Sequence, residues 1–414
     1  MPELAEVIFW TAFLAVVLTY LLYPLCLLVL ALFRRGHVTR DEAPPVTLVI
    51  SAYNEQSVIR EKLENALSLD YPRDRLEIMV ISDGSEDATD EIVAGYADRG
   101  VVLCRQEPRR GKSAGLTRFV PGAGGEVVVF SDANSMYEPD AIHKLVRHFA
   151  DAKVGFVSGY QRYVDEDSAA NQSESLYWRY ETWLKIQESK ISSPVCGDGA
   201  ILATRAELFE PLRDDDIADT ILPLKIVARG YRGVFDEEAV CYERTAEDFA
   251  GEFRRRARIV NRALGAVLRV PQTLNPFRVG VFAYQLLVHK LLRWFVPFFL
   301  VAMLVASTYL AARGHETYVV LLAMQLLFYG VALLGLVPGV RHWKPVYITY
   351  YFCLANTAAA LGVLRLVLGG RIAMWSPERA QTSARVPPSG AEESCRPDRV
   401  SAIPTAGTQE PESV

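Results

Sequence analysis

Residues 46–55 read Val-Thr-Leu-Val-Ile-Ser-Ala-Tyr-Asn-Glu, an apolar run that ends in polar side chains. Two later stretches repeat this arrangement and end in Asp83-Gly84-Ser85 and Asp132-Ala133-Asn134. Short apolar runs rich in β-branched residues predict buried strands. The sequence therefore predicts strands over residues 46–52, 76–82 and 126–131, each followed directly by acidic or amide side chains.

Helical patterns alternate with these strands, which predicts an α/β domain with a mostly parallel sheet covered on both faces. Further strands are predicted at 101–105 and 154–163. Helices are predicted at 57–69, 87–98, from Lys112 onward, 139–151, 170–191, 219–229 and 246–270. Ligands of such sheets bind at the carboxyl ends of the strands. The three polar strand ends are therefore expected to converge on one crevice.

Long apolar stretches flank this domain in a chain of 414 residues, half of them hydrophobic. A helix needs about 20 apolar residues to cross a bilayer. Four stretches meet that length, near residues 7–33, 294–312, 318–337 and 346–368. The net charge of −5 gives no indication of nucleic-acid binding. We therefore expect the lipid bilayer, and no nucleic acid, among the partners.

Basic residues predict the side of the membrane on which the domain lies. Arg34, Arg35 and Arg40 follow the first apolar stretch, and cytoplasmic loops are enriched in such cations. The first stretch has an acidic start and no small-residue cleavage site, which favours a retained anchor over a signal peptide. The expected location is the plasma (inner) membrane, multi-pass, with the α/β domain in the cytoplasm.

Residues 46–262 resemble a family 2 glycosyltransferase domain, similar to the membrane-integrated cellulose, chitin, hyaluronan and poly-N-acetylglucosamine synthases. The motifs that carry the resemblance are the three strand ends, a Gly-rich segment at 195–200, Asp219 and an arginine-rich helix at 252–259. The resemblance implies a GT-A type, Rossmann-like α/β fold. One anchor before the domain and three spans after it also match the shorter chitin-oligosaccharide synthases.

The first two strand ends and a basic loop form the expected donor side. By resemblance, Ala52, Tyr53, Glu55, Asp83 and Ser85 hold the nucleoside of a nucleotide-sugar, with a UDP-sugar as the expected donor. Carboxylates can accept hydrogen bonds from base and ribose groups.

The basic loop Arg109-Arg110-Gly111-Lys112 supplies cations for the diphosphate, with Lys112 at the position of the family lysine. A solvated basic loop is the alternative.

Asp132 begins the family's DxD motif, which holds Mg²⁺ or Mn²⁺ on the diphosphate of the donor. Asn134 stands where the second aspartate is usual. An amide oxygen ligates a hard cation more weakly than a carboxylate does. Asp132 and Asn134 are thus the predicted metal ligands, with Asp132 also on the donor side.

The acceptor side is expected at the Gly-rich segment, with Gly197, Asp198 and Gly199 against an acceptor saccharide. Asp219 aligns with the general base of the family's TED motif, and Ala218 replaces the preceding acidic residue. A base at this position implies inversion at the anomeric carbon. Capping of the following helix is the alternative role for Asp219. Asp215 and Asp216 are the next candidates for the general base.

The arginine-rich helix resembles the family's QxxRW segment, with Arg255 and Arg258 in position to clamp the diphosphate and Ile259 in place of the tryptophan. The alternative is an amphipathic helix that lies on anionic lipid, with an apolar face that includes Val260, Leu264 and Val267. The segment 277–293 is expected to form an interfacial helix, not a buried charge site.

These expectations divide the chain into five segments. They are an anchor at 1–40, a GT-A domain at 41–245, interfacial helices at 246–293, transmembrane helices at 294–370 and a disordered tail at 371–414. The expected function is inverting, metal-assisted transfer of a sugar to a cell-surface glycan or lipid-linked saccharide. Processive synthesis and single addition both remain open. A catalytically silent membrane scaffold is the alternative from another class, because Asn134, Ala218 and Ile259 depart from family positions.

Overall fold

A computed structural model of the chain describes residues 1–33, 38–163, 169–243, 249–337, 339–341 and 343–370. The predicted tail at 371–414 lies outside these residues, as do Arg34, Arg35 and His342. Within the described part, the fold combines one eight-stranded sheet with helices on both of its faces and a group of long apolar helices.

The central sheet has the strand order β3-β2-β1-β4-β7-β6-β8-β5. The strands are β1 (Val46–Ala52), β2 (Leu76–Asp83), β3 (Val101–Gln106), β4 (Val127–Asp132), β5 (Met136–Tyr137), β6 (Val154–Tyr163), β7 (Leu202–Arg205) and β8 (Arg232–Glu243). The first four run parallel, β7 lies antiparallel between β4 and β6, and β8 pairs parallel with β6.

The helices account for most of the remaining described residues. They are α1 (Pro2–Val17), α2 (Tyr23–Ala31), α3 (Ile59–Leu67), α4 (Thr89–Ala94), α5 (Lys112–Phe119), α6 (Ala141–Val146), α7 (Ala169–Ile191), α8 (Ala218–Ala228), α9 (Phe249–Arg269), α10 (Pro276–Val279), α11 (Val281–Gln285), α12 (Arg293–Ala311), α13 (Glu316–Leu334) and α14 (Lys344–Val367). Two π-helical segments, Leu18–Leu22 and Leu286–Leu292, interrupt the first and second long apolar helices.

The predicted α/β class and the parallel strands are confirmed. β1 and β6 have the predicted bounds, β2 and β3 end one residue later than predicted, and β4 is shifted by one residue at both ends. Three strands, β5, β7 and β8, were not predicted. The first two have only two and four residues, and β8 carries Asp236-Glu237-Glu238 in its middle. Short length thus hid β5 and β7, and acidic residues hid β8.

Alternating side chains of the central strands fill two separate cores. Leu48 and Ile50 of β1 point to the side covered by α3, α4 and α6, whereas Val49 points to the side covered by α5, α8 and α9. This alternation follows from the two-residue period of a strand. Because both faces are buried, the parallel strands β1 and β2 consist mainly of apolar residues.

Four helices are long and apolar enough to cross a membrane. In the described residues they span Pro2–Ala31, Val281–Ala311, Glu316–Leu334 and Lys344–Val367. The second begins earlier than predicted, because α11, the π-helical segment and α12 continue one another. The predicted separate interfacial helix at 277–293 is therefore largely part of this long helix.

His289 of that segment is buried and Lys290 and Arg293 are partly buried, contrary to the sequence-based expectation. His289 is only 1% exposed. Glu181 and Glu188 of α7 contact the imidazole, and Glu181 also pairs with Lys290 and Arg293. The prediction was wrong because these opposing carboxylates are about 100 residues away in sequence. Burial of charges requires such partners.

The amphipathic helix α9 packs on protein, not on lipid, along most of its apolar face. Val260, Leu264 and Val267 join the same core as Ala359 and Val363 of α14. The alternative interpretation of this face as a lipid-binding surface is therefore wrong for these three residues. The core of the catalytic domain continues directly into the last apolar helix.

A glycine allows α9 and α14 to approach closely. A Cβ added at Gly362 would lie 2.6 Å from the Ala257 carbonyl oxygen and 3.0 Å from the Val260 Cβ. The Gly362 carbonyl also accepts a hydrogen bond of 3.2 Å from Asn261 Nδ2.

We predict that Gly362→Ala lowers the apparent melting temperature in detergent, at a cost of about 1–3 kcal/mol, because overpacking forces the helices apart. The matched control is Gly330→Ala in α13, where an added Cβ meets no described atom within 4 Å. The control should melt at or above the wild-type temperature. Equal melting of both variants would contradict the close contact.

Candidate active site

The first two strand ends are joined by hydrogen bonds. Ala52 lies opposite Ser82 in the parallel register of β1 and β2. Beyond this pair, the Asn54 amide donates to Ser85 Oγ at 3.1 Å, and Asn54 Oδ1 accepts from the Glu86 amide at 2.8 Å. The structure therefore places the residues predicted for nucleoside binding along one continuous edge.

Asp83 orders the basic loop. Its carboxylate accepts hydrogen bonds from the amides of Arg110 and Gly111, both within 3.0 Å, and from Gln106 Nε2 at 2.5 Å. Arg109 Nε lies 3.6 Å away. Hydrogen bonds to a carboxylate from backbone amides are among the stronger ones in proteins. Asp83 thus holds a segment with two arginines and a lysine at the end of β2.

The Arg109 side chain stacks on Tyr53, with the guanidinium carbon 3.5 Å from the ring centroid. Glu55 is 5% exposed, and its amide donates to Thr89 Oγ1 at 2.8 Å. The partly exposed aromatic ring and the guanidinium together form a flat, positively charged wall beside the strand ends.

Lys112 connects the donor side with the acceptor side. It begins α5, and its ammonium donates to Asp132 Oδ1 at 2.5 Å and to the Gly199 carbonyl at 3.3 Å. Desolvation opposes the charge of Lys112, but Asp132 outweighs it and raises the pKa. Asp132 itself lies opposite Ser51 at the end of β4. The ammonium therefore joins the third strand end to the Gly-rich loop.

The Gly-rich loop, Val195–Ala200, packs against Asp219 at the start of α8. The Gly197 amide donates to the Asp219 carbonyl at 2.8 Å. A Cβ on Gly199 would lie 3.1 Å from Asp219 Oδ2, and one on Gly197 would lie 2.6 Å from Leu202 Cδ1. Gly199 thus allows the loop to approach the carboxylate closely, and Gly197 allows it to pack on Leu202.

Asp198 and Asp219 share this pocket and repel each other. Desolvation raises the pKa of Asp219 to about 6, and Asp198 adds to the shift. Desolvation also raises the pKa of Asp198, while Lys185 opposes that shift. A carboxylate with a pKa near 6 is basic enough to accept a proton and still ionised at neutral pH.

Glu243, at the end of β8, is a pocket residue that the sequence analysis missed. Its carboxylate accepts hydrogen bonds from Asn134 Nδ2 and Gln161 Nε2. Desolvation raises its pKa to about 7, with Asp132 as the next largest cause. Acidic residues at strand ends were the signal used elsewhere, but β8 was not predicted as a strand.

Oxygen ligands for a hard cation are present at this end of the pocket. Asp132 and Glu243 supply two carboxylates, and Asn134, whose amide nitrogen donates to Glu243, would supply an amide oxygen if its side chain turned. The described residues contain no group of three or more His, Cys, Asp or Glu suited to a metal. The set fits Mg²⁺ or Mn²⁺, because such ions keep several waters or substrate phosphate oxygens in their coordination shell. The mutual repulsion of the carboxylates would also favour a cation.

Arg255 of α9 faces the same pocket. The pKa values of Asp198 and Glu243 are raised by burial, and the Arg255 guanidinium partly offsets this rise in both. Arg255 also pairs with Glu252 at 2.6 Å. Arg258 lies one turn further along α9 and is partly exposed.

The substitute residues Asp215 and Asp216 lie in a different ion pair. Arg269, at the end of α9, contacts both of their carboxylates. Asp216 is 3% exposed, and its carbonyl accepts a hydrogen bond from Ser113 Oγ at 2.8 Å. These contacts give both aspartates a structural role.

Lys62 of α3 lies beneath the strand-end Asp132–Asn134 segment. Its side chain is fully buried, donates to the Ser135 carbonyl and sits 4.2 Å from the ring centroid of Tyr137. Burial lowers the pKa of Lys62 to about 7. Sequence alone gave no signal for it, since the lysine falls within an amphipathic helix.

The sheet, the polar strand ends and the shared pocket define a glycosyltransferase of the GT-A type. Residues 44–261, just over half of the chain, match the family model described as "Glycosyltransferase like family 2", and the chain belongs to that family.

Curated relatives match about half of the chain. The chain is 30% identical over 240 residues to the probable glycosyltransferase YdaM of Bacillus subtilis, covering 52% of this chain and 54% of that protein. It is 25% identical over 239 residues to poly-beta-1,6-N-acetyl-D-glucosamine synthase of Staphylococcus aureus, covering 55% and 57%. The chain spans about half the length of these relatives.

A solved structure matches more of the chain. The mannosyltransferase PcManGT from Pyrobaculum calidifontis, in complex with GDP-Man and Mn²⁺, aligns with a TM-score of 0.68 at 26% identity. The alignment covers 89% of this chain and 99% of the other, which extends the likeness beyond the catalytic domain to the apolar helices.

Lys62 yields a prediction about stability. Its folded-state pKa of about 7 lies below the ordinary value of 10.5, so the unfolded chain binds more protons between these pH values. The contribution of Lys62 to the free energy of unfolding therefore rises between pH 7 and 10, by at most about 1.4 kcal/mol per pH unit. Lys62→Met should remove this gain, as measured by melting temperature against pH.

The matched control is Lys153→Met, which replaces an exposed lysine. Its melting curve against pH should run parallel to that of the wild type. A Lys62→Met curve that also runs parallel would contradict the lowered pKa.

Proposed function

We propose that the protein transfers a sugar from a nucleotide-sugar to an acceptor hydroxyl with inversion, assisted by a divalent cation. The proposal rests mainly on the position of Lys112. Its ammonium contacts Asp132 and the Gly-rich loop, and that loop packs on Asp219. A diphosphate at Lys112 would lie between the strand ends and the proposed base. The retained charges also argue against a silent scaffold.

The donor would bind along the wall formed by the first two strand ends. Tyr53 and Arg109 offer a flat surface for a nucleobase, and Glu55 and Ser85 lie beside it. We propose UDP-sugars as donors, although PcManGT was solved with GDP-Man. Arg255 and Arg258 would contribute positive charge toward the diphosphate from α9.

Asp219 is the proposed general base. It would take the proton of the acceptor hydroxyl while that oxygen attacks the anomeric carbon from the face opposite the diphosphate. Such a displacement inverts the configuration and requires no covalent intermediate. Gly197, Asp198 and Gly199 would hold the acceptor, because the glycines leave room beside the carboxylate of Asp219.

Asp132, Asn134 and Glu243 would hold Mg²⁺ or Mn²⁺. When bound, the cation neutralises the charge that develops on the leaving diphosphate. The presence of Mn²⁺ in the PcManGT complex supports the use of a divalent cation. Lys112 would add a second positive charge on the same leaving group.

We propose that the four apolar helices span the inner membrane with the catalytic domain in the cytoplasm, as Arg40 beyond the first of them favours. The acceptor would be a cell-surface glycan or a lipid-linked saccharide. The named poly-beta-1,6-N-acetyl-D-glucosamine synthase supports a saccharide acceptor. A ladder of long products would support processive synthesis over single addition.

The test is nucleotide release by the full chain in detergent, with Mn²⁺, a panel of UDP- and GDP-sugars and octyl glycosides of glucose, mannose and N-acetylglucosamine. Wild type should release nucleotide with at least one donor. Asp219→Asn should lower that rate about 10²–10⁴-fold, the usual contribution of general base catalysis. The rate of wild type should also fall as pH drops through about 6, because Asp219 must be ionised.

Thr220→Ser serves as the control beside the base, because it keeps the hydroxyl that donates to Asp219 Oδ1 at 3.2 Å. Its rate should stay close to that of the wild type. Equal, negligible release from wild type and Asp219→Asn with every donor would support the scaffold instead.

Metal dependence gives a separate prediction. EDTA should abolish release, and Mn²⁺ or Mg²⁺ should restore it. Asp132→Asn and Glu243→Gln should raise the half-saturating metal concentration by about 10–100-fold, since each weakens an oxygen ligand set. Asp215→Asn is the control, because that carboxylate pairs with Arg269. A Glu243→Gln variant with wild-type metal requirement would remove Glu243 from the proposed site.

A further inference from the structure

Helix α7 carries three buried charges on one face. Glu181, Lys185 and Glu188 follow one another at spacings of four and three residues, which places them on the same side of a helix. They are 5%, 7% and 0% exposed. The proposed catalytic steps use none of them, yet α7 ends only a few residues before the Gly-rich loop at Val195.

Glu188 is the member of this set that contacts three different parts of the chain. Oε1 accepts a hydrogen bond from the Tyr23 hydroxyl of α2 and lies 2.6 Å from His289 Nδ1. Oε2 accepts from the Val195 amide at 3.4 Å. One buried carboxylate therefore joins the first two membrane-spanning candidates to the first residue of the Gly-rich loop.

The surrounding contacts keep the end of α7 in place. Ser189 Oγ and Ser193 Oγ accept hydrogen bonds from the amides of Phe235 and Gly233 in β8, at 2.8 and 2.9 Å. The Glu188 carbonyl accepts from Gln285 Nε2 at 3.2 Å. These contacts hold residues 188–193 through groups other than the Glu188 carboxylate. A change at the carboxylate would therefore alter its bond to Val195 and leave the end of the helix folded.

Glu181 provides a contrast within the same cluster. It contacts His289 Nε2 at 3.3 Å and pairs with Arg293 and Lys290. Burial opposes its ionisation, but Arg293 and its neighbours outweigh this and hold its pKa well below the usual range. No contact of Glu181 with the Gly-rich loop is seen in the described residues.

We propose that Glu188 is a positioning residue for the acceptor, through its link from Tyr23 and His289 to the Gly-rich loop. This inference rests on the proposed function, because it assigns the loop to acceptor binding. Its consequence is selective. Loss of the carboxylate would displace the loop beside Asp219, whereas the donor wall at the other strand ends would keep its geometry.

The test compares Glu188→Gln with the matched control Glu181→Gln in the full-length protein. Two rates are measured with the active nucleotide-sugar: its hydrolysis without acceptor, and its transfer to increasing concentrations of the octyl glycoside. Glu188→Gln should lower kcat/KM for the glycoside about 10–100-fold, as small misplacements of reacting groups do. Its donor KM and hydrolysis rate should stay within about twofold of the wild-type values, because a twofold change corresponds to a much smaller difference in activation free energy than a tenfold one.

Glu181→Gln should keep both kinetic parameters while lowering the melting temperature, since it removes the carboxylate charge that pairs with Lys290 and Arg293. Tyr23→Phe removes one donor to Glu188 and should shift kcat/KM for the glycoside in the same direction by less. It serves as the second variant if Glu188→Gln does not fold.

Each remaining outcome overturns the proposal. Parallel losses of hydrolysis and transfer in Glu188→Gln would show a structural role only, as would equal loss of transfer in both glutamine variants. Unchanged transfer in a folded Glu188→Gln or Tyr23→Phe variant would also remove the link. Absence of nucleotide release by wild type would instead overturn the proposed function, and this inference with it.

Discussion

Repulsion among carboxylates in one pocket is the constraint on which the rest of the structure depends. Asp132, Asp198, Asp219 and Glu243 come from four separate parts of the chain. Asp132 raises the pKa of Asp198 and Glu243, and Asp198 raises the pKa of Asp219 and Glu243. A fold stays stable with such a group only if cations surround it. Lys112, Lys185 and Arg255 supply them, from α5, α7 and α9. The helices around the sheet are thus tied to the charge of the pocket as well as to its apolar core.

The parallel half of this arrangement was predictable from the sequence. The strands β1, β2 and β4 are apolar runs that end in polar residues, and the carboxyl ends of parallel strands lie at one edge. Lys112 and Asp219 were found through family motifs, and the structure places them with Asp132 and the Gly-rich loop. Their chemical roles stay predictions, because contact geometry does not report turnover.

The strands β5, β7 and β8 were not predictable by the same means. Strand β8 contains three consecutive acidic residues, and its pairing with β6 shifts register between Phe235 and Val240, so its burial pattern lacks the expected alternation. Glu243 was missed with it. The partners of His289 were missed for a different reason. A charge in an apolar segment cannot be assigned as buried or interfacial until its counter-charges on a distant helix are known, and Glu181 and Glu188 lie on α7.

The shared core of α9 and α14 has a consequence for how such a protein can change over time. Val260 and Leu264 pack with Ala359 and Val363 in the cluster that also contains Val49 of the central sheet. The last apolar helix is therefore part of the hydrophobic interior of the catalytic unit. Recombination that exchanged this helix for one from another membrane protein would replace part of that interior. The membrane segment and the enzyme are thus expected to be inherited as one module.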